Sequence, residues 1–283
     1  MFSTYDSQSP PPQTRPIANS DMPHKTDPSG TPEVQPASSR PLLTIADRVA
    51  TILLRRPREH NRIDPDDLPV LIDHLDQIAA DPQAQVVVFR GSGSRTFSSG
   101  YTVEAILSRL EERTFEKFLN RLEHLERPTL VVIQGGIYGG ATDLALCCDL
   151  RIGVHSSRMF MPAARFGLHY YADGLRRYVS RLGQTAARKL LLTGCTIEAR
   201  EMLRIGFLTD VVAPTELEST VARYVEQLLG CDPGAIAAMK CSLNQLAAAD
   251  PVVLDDIQAR FLESLRSEAL QQRLANAAAA RGR

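Results

Sequence analysis

The chain lacks any run of like charge: 32 lysines and arginines stand against 33 acidic residues among its 283. That balance offers no electrostatic footprint for nucleic acid or an anionic membrane surface, so neither is expected as a partner and a small molecule is. No apolar run approaches the roughly 20 residues that a bilayer span requires, and the N-terminus lacks the apolar core of a signal peptide. A cytoplasmic location follows as the expectation. The five cysteines, Cys147, Cys148, Cys195, Cys231 and Cys241, lack metal-ligand spacing. They read as free thiols in a reducing compartment, with the adjacent pair as small core residues and no metal site. No internal repeat is visible in the sequence.

What is present divides the chain unevenly. Residues 1–39 are dense in Pro, Ser, Thr and Gln, with Pro10-Pro11-Pro12 and almost no periodic apolar residues. Such a segment cannot bury enough surface to offset its ordering entropy and reads as a disordered tail. From Leu42 the pattern changes. Leu42–Ile45 and Val49–Leu54 read as an antiparallel pair of strands, Leu68–Ile78 as a helix, and Val86–Phe89 as a short apolar strand covered on both faces. A loop over Gly91–Gly100, a helix over Leu107–Leu125 and a second buried strand, Leu130–Ile133, follow. This alternation predicts an α/β domain with a largely parallel sheet over residues 40–205. Beyond Gly183 the spacing turns helical, at 186–192, 197–205, 216–229, 235–247 and 252–274. Residues 206–283 are therefore expected to form a helical C-terminal region.

The second buried strand runs into Gly139-Gly140 and then into Ala141-Thr142-Asp143-Leu144. A helix starting at a glycine pair leaves its first amides unpaired, lets an oxygen approach the backbone, and adds the positive end of the helix dipole. The same glycines also suit close packing of helix on sheet, and both readings stay open on the residues alone.

Three stretches taken in order resemble the crotonase, or enoyl-CoA hydratase/isomerase, superfamily. They are Phe97-Ser98-Ser99-Gly100, the run from Ile133-Gln134-Gly135 to Arg151-Ile152, and Leu191-Leu192-Thr193-Gly194 followed by Gly206-Phe207-Leu208. The resemblance covers about residues 40 to 270. It implies a spiral of ββα units with a helical C-terminal trimerisation region, and hence a homotrimer or a dimer of trimers. It also implies an acyl-CoA substrate of fatty acid metabolism, with coenzyme A entering as part of the thioester and no separate cofactor. The thioester carbonyl would sit between the backbone amides of Tyr101 and Gly140, and the Ser99 carbonyl would meet the CoA adenine. Gly100, Gly139 and Ala163 would line the substrate site.

Asp143, one helical turn after Gly140, takes the first acid position of this family and is the expected acid/base. The second acid position, counted without gaps from Asp149, falls on Ala163, which has no proton to give. Hydration by paired carboxylates is thereby put in doubt, and double-bond isomerisation, which needs one proton shuttle, fits better. His169, Tyr170 and Tyr171 occupy the loop where the family varies its chemistry. Tyr170 matches a tyrosine of methylmalonyl-CoA decarboxylase, so an alternative is decarboxylation of a malonyl-type thioester with Tyr170 or His169 guiding protonation. A third reading is a catalytically silent acyl-CoA-binding subunit. Arg176, Arg177 and Arg181, at helical spacing, read as a solvated helix face or a subunit contact rather than a substrate site.

Overall fold

The computed structural model describes residues 39–102, 105 and 113–248. The tail read at 1–39, apart from Ser39, residues 107–112 of the helix read at 107–125, and the helix read at 252–274 lie outside them. Strands β1 (Leu42–Ala46) and β2 (Val49–Leu54) form the expected antiparallel pair, in register from Leu42 opposite Leu53 to Ala46 opposite Val49. From β2 onward the main sheet is parallel. It takes in β3 (Val86–Gly91), β5 (Thr129–Ile133), β7 (Leu150–Val154) and β10 (Asp210–Val212), in the order β1-β2-β3-β5-β7-β10.

The buried runs Val86–Phe89 and Leu130–Ile133 feed alternate residues to opposite faces, as a strand's period of two requires. Val87, Phe89, Val131 and Ile133 join the larger core, whereas Val86, Val88, Leu130 and Val132 join a smaller one under Leu217 and Val221. Those last two residues belong to α6 (Leu217–Leu229). The C-terminal region therefore supplies both an edge strand and a helix that closes the second face of the sheet.

A second, smaller sheet is what the sequence reading missed. Its strands are β4 (Thr96–Ser98), β6 (Gly136–Tyr138), β8 (Arg158–Phe160) and β9 (Ile197–Glu198), the first three parallel and β9 antiparallel to β8. Each of the first three follows a main-sheet strand after a sharp corner, so the chain climbs in ββα turns with no sequence repeat to announce them. The stretch 91–100 is thus not all loop, and 197–198 is strand rather than helix. Three-residue strands carry too little alternation to be read from sequence. Polar side chains pin the corners instead. Gln134 donates to the carbonyl of Gly91 at 2.9 Å, Asn61 to that of Ser92 at 2.8 Å, and Ser157 to that of Ile133 at 2.9 Å.

Helices α1 (Asp67–Ala80), α2 (Thr114–Glu123), α3 (Gly140–Cys147) and α4 (Ala172–Thr193) cover the larger core. A break at Gly183, φ 77°, divides α4 in two. Helices α5 (Ala199–Arg204) and α7 (Pro233–Ala247) complete the described elements. Lys240 of α7 is anchored by Asp149 at 2.7 Å and the Arg127 carbonyl at 2.9 Å. Cys147 and Cys148 are buried in the core, and burial pushes the Cys148 thiol up to about 12.

Phe89 is fully buried at the centre of the sheet. Phe89→Ala should lower unfolding stability by about 3–5 kcal/mol through lost transfer energy and the cavity left behind, read as a lower denaturant midpoint at an unchanged slope.

Candidate active site

The site grows from the small sheet. Because β4 and β6 are parallel neighbours, their C-terminal ends lie side by side, and the residues that follow, Ser99-Gly100-Tyr101 and Gly139-Gly140, meet. The first segment is fixed from behind. The Ser99 amide donates to the His60 carbonyl at 2.8 Å, the Gly100 amide to the Ser98 hydroxyl at 3.0 Å, and the Ile63 amide to the Gly100 carbonyl at 2.8 Å. Gly100 has φ 89°, and a Cβ there would stand 2.6 Å from the Tyr138 carbonyl oxygen and 2.7 Å from the Gly140 nitrogen. Only glycine fits such an approach. On the other side, a Cβ at Gly140 would lie 3.4 Å from the Tyr101 nitrogen and 2.8 Å from the ring of Phe115. Two backbone segments thus come together with no side chain between them. Gly140 opens α3, whose cap residue, Gly139, contributes no side-chain hydrogen bond.

Ser99, Tyr101, Gly139 and Gly140 are all half-buried, whereas Ala163 is nearly closed off, at the start of a 3-10 turn over Ala163–Phe166. Pro162, which precedes it, lies 4.0 Å from where a Cβ on Gly139 would stand. His169 is exposed, in contrast to the two tyrosines that follow it.

Beneath Gly140, Asp143 is completely buried, and its carboxylate is the centre of a hydrogen-bonded cluster. Arg177 of α4 reaches it through Nε to Oδ1 at 2.8 Å and through Nη2 to Oδ2 at 3.1 Å. The hydroxyl of Tyr170 donates to Oδ2 at 2.9 Å, and that of Tyr171 donates to the same oxygen. Arg177 also donates to the Tyr171 oxygen at 3.1 Å. Burial, then the charge of Asp143, raises both phenols above their ordinary range, so they stay neutral donors. Burial opposes the charge on Arg177, but its buried partners, with the Asp143 carboxylate as the bonded counter-ion, hold the guanidinium above its usual value.

The same guanidinium serves a second carboxylate. Its Nη1 donates to Glu123 at 3.0 Å and to the Asn120 side chain at 2.9 Å. Glu123, 1% exposed on α2, also takes two hydrogen bonds from Arg176, at 3.1 and 2.5 Å. Burial alone would raise the Glu123 carboxyl, yet the two arginines bring it below its ordinary 4.5.

The reading of Arg176 and Arg177 as a solvated face or subunit contact is therefore corrected. Arg177 is fully buried and Arg176 partly so, because both neutralise carboxylates inside the protein. A signal for this was present. Gly174, Arg177 and Tyr178 are the buried residues in the first half of α4, so the arginine sits on the apolar stripe. Glu123 likewise follows Leu119 by one turn on the buried face of α2. Tyr178, hydrogen-bonded to Thr142 at 2.5 Å, backs the cluster and also went unread.

Residues 44–274 match the Enoyl-CoA hydratase/isomerase family. The chain belongs to that family. Within it, the chain is 28% identical over 210 residues to crotonyl-CoA hydratase of Syntrophomonas wolfei, spanning 72% of this chain and 81% of that one. It is 29% identical over 205 residues to carnitinyl-CoA dehydratase of Proteus mirabilis, spanning 70% and 77%. In fold it is similar to the crystal structure of an enoyl-CoA hydratase/carnithine racemase from Magnetospirillum magneticum, at TM-score 0.77 and 23% identity over 86% of this chain and 94% of that one. The ββα spiral is thus the family fold, and acyl-CoA processing of the enoyl-CoA hydratase/isomerase type is the family's chemistry. No helix among the described residues is long and apolar enough to cross a membrane.

Removing the shared cation should expose what it holds. Arg177→Met leaves Asp143 and Glu123 buried with their common partner gone and should cost about 3–5 kcal/mol at neutral pH. The deficit should shrink as pH falls towards 5, because the stranded carboxyls can then take up protons. Urea unfolding of both proteins across that range measures it.

Proposed function

We propose that this enzyme moves a double bond within an acyl-CoA thioester, holding the charged carbonyl oxygen between the Tyr101 and Gly140 amides. The observation that supports this reading is the close approach of the two segments: a Cβ on Gly100 would stand 2.7 Å from the Gly140 nitrogen, and one on Gly140 3.4 Å from the Tyr101 nitrogen. Preorganised donors of this kind contribute about 2.7–4 kcal/mol each to stabilising an oxyanion. Entry at the start of α3 adds the positive end of its dipole.

Asp143 is the group that stores the proton. Tyr171, half-buried where Asp143 is closed off, is the hydroxyl through which it works. As the Tyr171 oxygen takes a proton from carbon 2 of the acyl chain, its own proton passes to Asp143 and a dienolate forms. The reverse transfer at carbon 4 places the double bond between carbons 2 and 3, with no net change in composition. Ala163 supplies no second acid, so addition of water has less support than isomerisation. A second reading, decarboxylation of a malonyl-type thioester, draws on the two phenols converging at Asp143. There, loss of carbon dioxide generates the enolate and Tyr170 supplies the proton, while His169, exposed, has less to recommend it.

Mass analysis of products in deuterated water separates these outcomes. A 3-enoyl thioester should become its 2-enoyl isomer without gaining the mass of water, the hydrogen taken from carbon 2 being the one returned to carbon 4. Asp143→Asn should slow that conversion about 10²–10⁴-fold. Efficient hydration, or turnover in Asp143→Asn at the wild-type rate, would contradict the reading. Carbon dioxide released from methylmalonyl-CoA, and lost in Tyr170→Phe, would transfer it to the decarboxylase.

A further inference from the structure

Among the groups that the proposed chemistry leaves unused, Glu123 is the most unusual. It is a carboxylate with 1% exposure on a different helix from Asp143, and the two share one guanidinium. Arg177 spends Nε and Nη2 on Asp143 and Nη1 on Glu123. A carboxylate tied to a single buried arginine resists protonation, because the proton would leave that arginine without a counter-ion. Here the arginine keeps one.

We propose that Glu123 is a positioning residue that acts through Arg177: it holds the guanidinium when Asp143 takes up a proton, and so keeps Asp143 able to accept one. The inference rests on Asp143 as the proton-carrying group. It replaces the second acid missing at Ala163 with a carboxylate that never touches the substrate. The groups facing Asp143 are Arg177 and Tyr178 from α4, Tyr170 and Tyr171 from the segment before it, and Cys147 from its own helix. Arg176 and Asp173 lie at the outer edge, each bonded to the cluster through Glu123 or Asn120. The two cations, Arg176 and Arg177, balance Asp143 and Glu123, so removing either outer partner must move Asp143 in a foreseeable direction.

Taking away the Glu123 charge throws Arg177 wholly onto Asp143 and favours its ionised form. Taking away Arg176 leaves Glu123 to draw Arg177 off and favours the protonated form. The test follows the Asp143 carboxyl itself, by carbon-13 NMR of aspartate-labelled enzyme during acid titration, with Asp143→Asn assigning the resonance. Glu123→Gln should lower its midpoint, Arg176→Gln should raise it, and Glu123→Asp should return it towards wild type. The acid limb of the pH–rate profile should move with it, and kcat should fall about tenfold in Glu123→Gln with KM unchanged.

An Asp143 midpoint that stays put in both Glu123→Gln and Arg176→Gln overturns the proposal. If Glu123→Gln does not fold, the upward shift in Arg176→Gln, which removes a partly exposed residue, decides alone. Loss or retention of turnover in Asp143→Asn judges the parent reading separately, since the titration needs no activity.

Discussion

A buried guanidinium holds this site together. Arg177 joins three helices, α2 through Glu123 and Asn120, α3 through Asp143, and its own α4 through Tyr171 at its start. Desolvating a cation and two carboxylates costs several kcal/mol per ion, and only full hydrogen bonding with matched charge offsets that. The cluster meets that condition, with Arg176 as the second cation. Asp143 is consequently fixed under Gly140, and the tyrosines that donate to it are fixed with it. Supports reach further still: Asn244 of α7 donates to the Glu123 carbonyl at 2.8 Å, tying that helix to the same point.

The geometry above the cluster has a different origin. Parallel pairing of two three-residue strands brings Gly100 and Gly140 together, and the corners that create those strands are held by Gln134, Asn61 and Ser157. In the proposed reaction, backbone would supply the place for the carbonyl oxygen and side chains would supply the proton. Gly140 and Asp143 share the first turn of α3, so the two are placed together.

How much of this was legible follows the length and periodicity of each segment. Val86–Phe89 and Leu130–Ile133 announce buried strands because their apolar runs are continuous, and Gly139-Gly140 announces a helix start by its composition. Thr96–Ser98 and Gly136–Tyr138 do not, since three residues hold barely one period of alternation. Asp143 was singled out by the family resemblance together with its place one turn after Gly140, and it lies fully buried at the centre of the cluster. Arg177 and Glu123 were not assigned, because charge on a helix is ordinarily solvated, and only their place on buried stripes marked them as exceptions. Ala163 shows the complementary limit. That a carboxylate is missing there rests on the family resemblance, whereas the carboxylate of Glu123 on α2 becomes visible only when the helices are packed.

The central claim, that two backbone amides polarise a thioester carbonyl at the meeting of Gly100-Tyr101 and Gly140, is open to one direct measurement. Isotope-edited infrared spectroscopy of a bound enoyl-CoA labelled with carbon-13 at the thioester carbonyl reports the strength of that bond. The account predicts a stretch displaced to lower frequency than in water, and loss of that displacement in Gly100→Ala, where a methyl group would press on the Gly140 nitrogen. A carbonyl that vibrates in the bound state as it does in water would contradict it.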